Sequence, residues 1–262
     1  LYGAIEFYQK ARKAGIKPII GCELYIAAGD MRSRIAGIDD KRYHLTVLAQ
    51  TNEGYKNLIA LVTKAHLDGF YYKPRVDKAA LRDHATGLVA LSGCANGEIA
   101  RALQYKKPEA AERIIGEYRD IFGKDNFFLE VQYHPALESQ AIINEGLAYV
   151  SLKTGTRIAA TSDIHYINSE DAEAQDILVS VQTGNRVQDE DRFTMRKTDL
   201  SMRSAEQMAS FFPGHPEYLA TTVEIADRIH TDIELHKDKL PRFTVPDGYD
   251  ANSYVKHLCM KG

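Results

Sequence analysis

The sequence predicts an α/β fold, with a sheet that is either open and parallel or closed into a barrel, and a mostly helical C-terminal part. Two observations carry this. Short apolar runs rich in β-branched and aromatic residues alternate with helical patterns over the first two-thirds of the chain. Beyond Ile167 the strand-like runs give way to helical periodicity.

The strand candidates are Pro18–Ala27, His44–Ala49, Gly87–Ser92, Phe127–Gln132 and Arg157–Thr161, each ending near Gly, Asn, Asp or Ser. Between them, Leu58, Leu61, Val62 and Ala65 share one helical face, as do Ala111, Ile114, Ile115, Tyr118 and Phe122. Pro108 stands where a first-turn proline belongs. A helix over Leu137–Leu152 aligns Ile143, Leu147 and Val150. Asp171–Val181, Ser204–Phe212 and His215–Ile229 are the later helices. Leu240–Tyr249, rich in Pro, Gly and Asp, reads as a connector, and Ala251–Lys261 begins another helix. Leu1–Ala14 is already helical and does not start with Met, so residues are expected to be missing upstream as well as beyond Gly262.

Composition removes several classes. The 262 residues are 44% hydrophobic and 26% charged, which suits a packed core and not disorder. No apolar run approaches the roughly 20 residues that span a bilayer, so no membrane partner is expected. Three cysteines, Cys22, Cys94 and Cys259, lie far apart and outside any CxxC pair, pointing to a reducing cytoplasm and away from a disulfide framework. The net charge of −3 does not advertise nucleic-acid binding. Neither GxGxxG nor GxxxxGK[ST] occurs, which leaves a nucleotide-binding sheet without support.

The chemistry-bearing residues lie at strand margins. In Thr161-Ser162-Asp163-Ile164-His165, a period of two puts Asp163 and His165 on one side as the strand runs out. A carboxylate and an imidazole so placed suit a divalent metal, and a salt-bridged pair closing a loop suits them equally. Cys94 follows the apolar run Gly87–Gly93; it reads either as a small core residue or, after a Ser-Gly turn, as a soft ligand favouring zinc. Glu23 interrupts an apolar strand, where a carboxylate costs several kcal/mol unless it is paired or metal-bound. An edge strand with Glu23 in water is the other reading. His44 opens its strand and is a weak signal alone. Glu130, Gln132 and His134 alternate with apolar neighbours and form one polar face, lining a barrel mouth in support of the ligands or meeting solvent. His66, His84, His215, His230, His236 and His257 lack companions at ligand spacing. The basic stretch Arg192–Lys197, with Arg203, reads as a solvated or inter-domain face before phosphate contact is considered.

Several phrases in order resemble the PHP domain, the metal-binding phosphoesterase domain, of bacterial DNA polymerase III alpha subunits. They are Ala14–Glu23, Tyr43–Ala49 with Asn52–Leu58, Gly69–Arg75, Leu91–Cys94 with Gly97–Ile99, Thr161–Tyr166, and the exit phrase Leu240-Pro241-Arg242-Phe243. The resemblance runs through nearly the whole chain. It implies a distorted, TIM-like β/α barrel over 1–240 lacking its N-terminal strands and motifs, and a connector with the start of a thumb-side helix over 241–262. It implies a metal set drawn from nine positions, of which five map here: Glu23, His44, Cys94, Asp163 and His165. The other four precede the segment where this chain starts, so the five are expected to load metal incompletely or not at all. The metal implied is zinc, or manganese or magnesium. His44 opens a strand that the other ligands close, so an irregular or reversed segment is expected there.

The activity implied for the parent is DNA-directed DNA polymerisation in chromosomal replication. The domain itself would add metal-dependent 3′→5′ exonuclease or phosphoesterase chemistry with no protein base beyond the ligands. DNA, replisome subunits and a proofreading subunit are the implied partners, and the palm aspartates lie beyond Gly262. Two alternatives stand beside this: a non-catalytic scaffold domain of the polymerase, and a free-standing phosphatase of the same superfamily, such as a histidinol-phosphate phosphatase.

Overall fold

The structure is a computed structural model that describes residues 1–235, 237 and 243–262. The chain forms two compact units, Leu1–Asp232 and Ile233–Gly262. His236 and Leu240-Pro241-Arg242 lie outside the described residues, so the exit phrase and the proposed boundary at 240 do too.

The first unit is built on a six-stranded sheet in the order β3-β1-β2-β4-β5-β6. The strands are β1 (Gly21–Ala27), β2 (Arg42–Ala49), β3 (Arg75–Val76), β4 (Leu88–Leu91), β5 (Phe127–Val131) and β6 (Ile158–Ala160). The five expected strands are all present; β2 starts two residues earlier than predicted, the other four are shorter, and the two-residue β3 is too short to leave a periodic signal. The sheet is mixed, which corrects the all-parallel alternative. β1 pairs parallel with β3, and β4, β5 and β6 run parallel to one another. β2 is antiparallel to both β1 and β4. This is the reversed segment that His44 required.

Alternation along each strand gives the sheet two different faces. One face carries Leu24, Ile26, Leu45, Val47, Ala49, Ala90, Phe127, Leu129, Val131 and Ile158, all buried in the main core. Helices α2 (Asn52–Leu67), α5 (Pro108–Phe122) and α6 (Glu138–Thr154) cover it with the apolar stripes read from sequence. Short helices α3 (Lys78–Asp83) and α4 (Glu98–Gln104), which periodicity missed, complete this layer. The other face carries Val89, Leu91, Phe128 and Ala159 in a small second core, covered by Ile225 and Ile229 at the end of α9 (Pro216–Arg228). The remaining part of that face is polar.

Helix starts are chemically encoded. Thr51 accepts from the Gly54 amide to cap α2, and Ser204 and Gln207 form a capping box on α8 (Ala205–Phe211). Before the N-terminal strand, α1 runs over Ala4–Lys13, and α7 over Ala172–Thr183 follows a single 3₁₀ turn. In the second unit, α10 (Ala251–Lys261) is capped by Asp250, and Tyr254 stacks on Phe243 and meets Tyr249 edge-on. Among the described residues, no helix is long and apolar enough to cross a membrane.

One buried cation holds the long excursion after β1. Arg75 is 1% exposed. Its Nε donates to the Gly69 carbonyl, Nη1 to that of Asp39, and Nη2 to those of Met31 and Ser33, at 2.6–3.2 Å. A fork of fixed donors thus closes a segment that has no strand or helix of its own. Arg75→Met keeps the stem and leaves those buried carbonyls without donors. It is expected to cost about 3 kcal/mol in urea unfolding at unchanged m-value; a loss below about 1 kcal/mol would remove Arg75 from this role.

Candidate metal centre

The polar part of the second sheet face is where the predicted site residues fall. Glu23 lies opposite Thr46, and Tyr25 opposite His44, in the β1–β2 register, so Glu23 and His44 are diagonal neighbours on one face. Because β2 runs against its neighbours, its first residues lie at the C-terminal ends of β1 and β4. His44 therefore joins a strand-end site although it stands near the start of its own strand, two residues after Arg42.

Cys94 arrives from the other side. The turn after β4 folds back so that the His44 amide donates to the Asn96 carbonyl at 3.1 Å, and His44 bridges to Gly97. Gly93 makes this possible: its φ is +81°, and a Cβ there would come within 2.5 Å of the His44 carbonyl oxygen. His44 Nδ1 consequently contacts both the Glu23 carboxylate and, at 3.4 Å, Cys94 Sγ. One ligand atom from each of Glu23, His44 and Cys94 lies within 4.8 Å of the others.

Asp163 and His165 enter from the far edge. β6 stops at Ala160, so these two stand in the loop that follows the strand's end. His165 Nδ1 lies 2.9 Å from the Asp163 carbonyl oxygen and 3.7 Å from its Oδ1. A carbonyl only accepts, so Nδ1 donates there, and Nε2 is the nitrogen left for another partner. Asp163 lines the same cavity, of about 410 Å³, as Glu23 and Cys94.

Electrostatics tie these groups together. The His44 imidazole beside Glu23 holds its carboxyl below the usual range against the opposing effect of burial, with His165 helping. Burial pushes the Asp163 carboxyl up, and the Glu23 charge adds to this while His165 opposes it. Burial pushes the Cys94 thiol up to about 12, reinforced by Glu23, Asp163 and Glu130. In this acidic surrounding the thiolate needs a nearby cation.

The polar face of β5 does not meet solvent: Glu130, Gln132 and His134 are 3–6% exposed. Glu130 accepts from Thr161 Oγ1 at 2.6 Å, Gln132 Nε2 at 3.0 Å, the Gly93 amide at 3.0 Å and Thr46 Oγ1 at 3.2 Å. Burial nonetheless leaves its carboxyl above the usual range. Glu130 thereby fixes the turn before Cys94 and the loop before Asp163 at once. His134 is buried with neither ring nitrogen hydrogen-bonded, and burial lowers its pKa. Sequence reasoning missed Thr46 and Thr161 as partners of Glu130; Thr46 stands two residues after His44 on the same strand face, which was the available signal.

Within the basic stretch, read as a solvated face, Arg196 and Lys197 are exposed, and Arg192 is the correction. Arg192 is 7% exposed on its side chain and pairs with Asp176, which also accepts from Thr194. This knot pins the segment whose Leu200 carbonyl accepts from the His165 amide, with Tyr166 and Ser201 bridged beside it.

The PHP domain family matches residues 1–134, and the chain belongs to that family. It is similar to DNA polymerase III subunit alpha of Thermus aquaticus, 38% identical over 270 residues covering 100% of this chain and 22% of the relative. The corresponding protein of Borreliella burgdorferi is 39% identical over 265 residues, with 100% and 23% covered. That of Treponema pallidum is 37% identical over 264 residues, with 100% and 22% covered. The chain thus spans about a fifth of the length of these relatives, about 22%.

The Asp176 carboxyl is held down to about 2, first by Arg192 and then by Thr194. A depressed folded pKa contributes stability that is complete above the unfolded value of about 3.9 and is lost as pH falls towards the folded one. Amide exchange over 192–203, corrected for intrinsic rates, should therefore rise in wild type as pH falls from about 5 to about 2. Asp176→Asn should show the faster exchange already at neutral pH; equal protection there would contradict the anchoring role.

Proposed function

We propose that the chain is the PHP domain of a bacterial replicative DNA polymerase alpha subunit, 1–240 forming the domain and 241–262 leading out of it. Its site holds a divalent ion used on phosphodiesters. The observation that carries the reading is the convergence of Glu23, His44 and Cys94 donor atoms within 4.8 Å. A carboxylate, an imidazole and a thiol fit zinc better than manganese or magnesium, whose preference is for oxygen. Asp163 supplies a further donor on the cavity that Glu23 and Cys94 line; His165 stands beside Asp163, outside that lining.

A divalent ion there supplies Lewis-acid activation of water and charge neutralisation on phosphoryl oxygens. The protein's own part is placement. Glu23 and His44 are fixed by strand register, and Cys94 by the Gly93 turn. Glu130 holds that turn through the Gly93 amide and the Asp163 loop through Thr161. The ligands themselves are the reactive machinery, and no separate base is assigned. DNA, the other replisome subunits and a proofreading subunit are the partners that follow from a polymerase setting, in the cytoplasm.

The chain should bind about one zinc per molecule, fewer than a full set of the family's ligand positions would hold. Cobalt substitution should give a thiolate charge-transfer band that disappears in Cys94→Ser, and His44→Ala should weaken binding at least about tenfold. Absence of that band, with cobalt still bound, would remove Cys94 from the ligand set. With the family's four upstream ligand positions restored, the zinc-loaded domain should remove nucleotides from a DNA 3′ end, with activity lost in Asp163→Asn; full metal loading of that domain without any cleavage would instead assign a structural scaffold.

A further inference from the structure

Next to the metal centre lies a second cavity of about 800 Å³ with a different character. Lys41, Arg42, Arg101, Lys107 and Arg113 line it, with the side chain of Tyr105 on its rim. Two carboxylates, Asp40 and Glu98, also reach it, but Glu98 is engaged by Lys78 at 2.8 Å and by the Tyr118 hydroxyl. Asp40 accepts from the Gly37 amide. Among the described residues no carboxylate lies within ion-pair distance of Lys41, Arg42, Arg101 or Lys107, and Arg113 meets only Glu117, at 3.9 Å. Five cations on one cavity, four of them with no carboxylate at ion-pair distance, are unexpected on a chain of net charge −3.

Two of them are held in place. Arg101 donates to Asn96 Oδ1 at 2.6 Å, and Arg42 donates to the Asp40 carbonyl while its guanidinium lies over the Tyr25 ring. Tyr105, at the C-terminus of α4, is 68% exposed and offers a bare ring. His44 also lines this cavity, so the residue whose imidazole touches Glu23 and Cys94 is common to the basic groove and the metal centre.

We propose that this groove seats a single DNA strand, its phosphates on Arg42, Arg101, Lys107 and Arg113 and one base on Tyr105, and delivers the strand's end past His44 to the metal centre. The inference rests on the phosphodiester reading of that centre and names its substrate lane. Fixed guanidinium groups suit phosphate oxygens. An exposed aromatic ring beside them suits an unpaired base, which a duplex does not present.

The test is fluorescence anisotropy of a labelled single-stranded oligothymidylate with the 262-residue chain in EDTA, so that metal binding plays no part. Three to four phosphate contacts predict a log–log salt slope of about −2 to −3. Arg101→Glu with Lys107→Glu should weaken binding at least about tenfold and reduce that slope by about 1 to 2. Arg101→Gln with Lys107→Gln is the second variant should charge reversal disturb folding. Lys56→Glu with Lys124→Glu makes the same change in net charge away from the groove and should leave affinity within about twofold. Tyr105→Ala should weaken binding by about 5- to 100-fold, the range of one base–aromatic stack. Equal losses from the two charge pairs would overturn the groove assignment. A silent Tyr105→Ala, with polyglutamate binding as tightly as the oligonucleotide, would assign the groove to an acidic protein segment. Either failure leaves the zinc and cobalt results standing, and absence of any metal binding by the wild-type chain with undiminished oligonucleotide binding would remove only the metal centre.

Discussion

The antiparallel placement of β2 is the constraint on which the site depends. In a regular parallel sheet, the first residue of a strand and the last residues of its neighbours lie at opposite ends, some five residues or roughly 17 Å apart. Reversing one strand brings them together. The β1–β2 register then sets Glu23 and His44 diagonally on one face, and the β2–β4 register sets the turn bearing Cys94 beside the start of β2. The reversal also separates labour between the faces. Leu45, Val47 and Ala49 fill the helix-covered core, while His44, Thr46 and Leu48 on alternate positions face the site or its apolar flank.

Glu130 is the second structural decision. A carboxylate buried on the middle of a sheet face is costly, and four donors from four separate segments reduce that cost. Those donors come from β2, the turn after β4, β5 itself and the loop after β6. The same bonds that make the charge tolerable therefore fix the loops carrying Cys94 and Asp163 relative to β2. A purely apolar residue at 130 would pack the sheet equally well and leave the two loops without a common tether.

Much of this was legible in the sequence, and the boundary of legibility is physical. Strands with β-branched runs, and helices with a full apolar stripe such as α5, announce themselves because burial repeats at the element's own period. β3, α3 and α4 do not, because two to seven residues hold too little periodicity; α4 spans only Glu98–Gln104. His44 was suspect by its position at a strand start, and the reversal that rescues it is a pairing property that a single strand cannot encode. Asp163 and His165 were legible as residues just beyond a strand's end, but the path of their loop was not, because the His165 amide bonds to the Leu200 carbonyl far along the chain. Arg192 looked solvated beside Asp189–Asp191, but its partner Asp176 is sixteen positions away on α7, a distance at which charge patterning carries no information.

The net charge of −3 conceals a sorting of charge that the fold performs. Glu23, Asp163 and Glu130 gather on one side of His44, where each raises the pKa of the Cys94 thiol and their mutual repulsion favours a cation. Lys41, Arg42, Arg101, Lys107 and Arg113 gather on the other, where the shortage of carboxylates favours an anion. The two sets come from interleaved stretches of sequence: Arg42 and His44 are two residues apart on one strand, and Cys94 and Arg101 flank one turn. Within a low-dielectric wall such opposite fields would partly cancel if mixed, and they remain distinct only because β2 presents Arg42 and His44 at the boundary between the cavities. Bulk charge is thus a poor guide to this domain's ligands, and the local field on each side of His44 is the informative quantity.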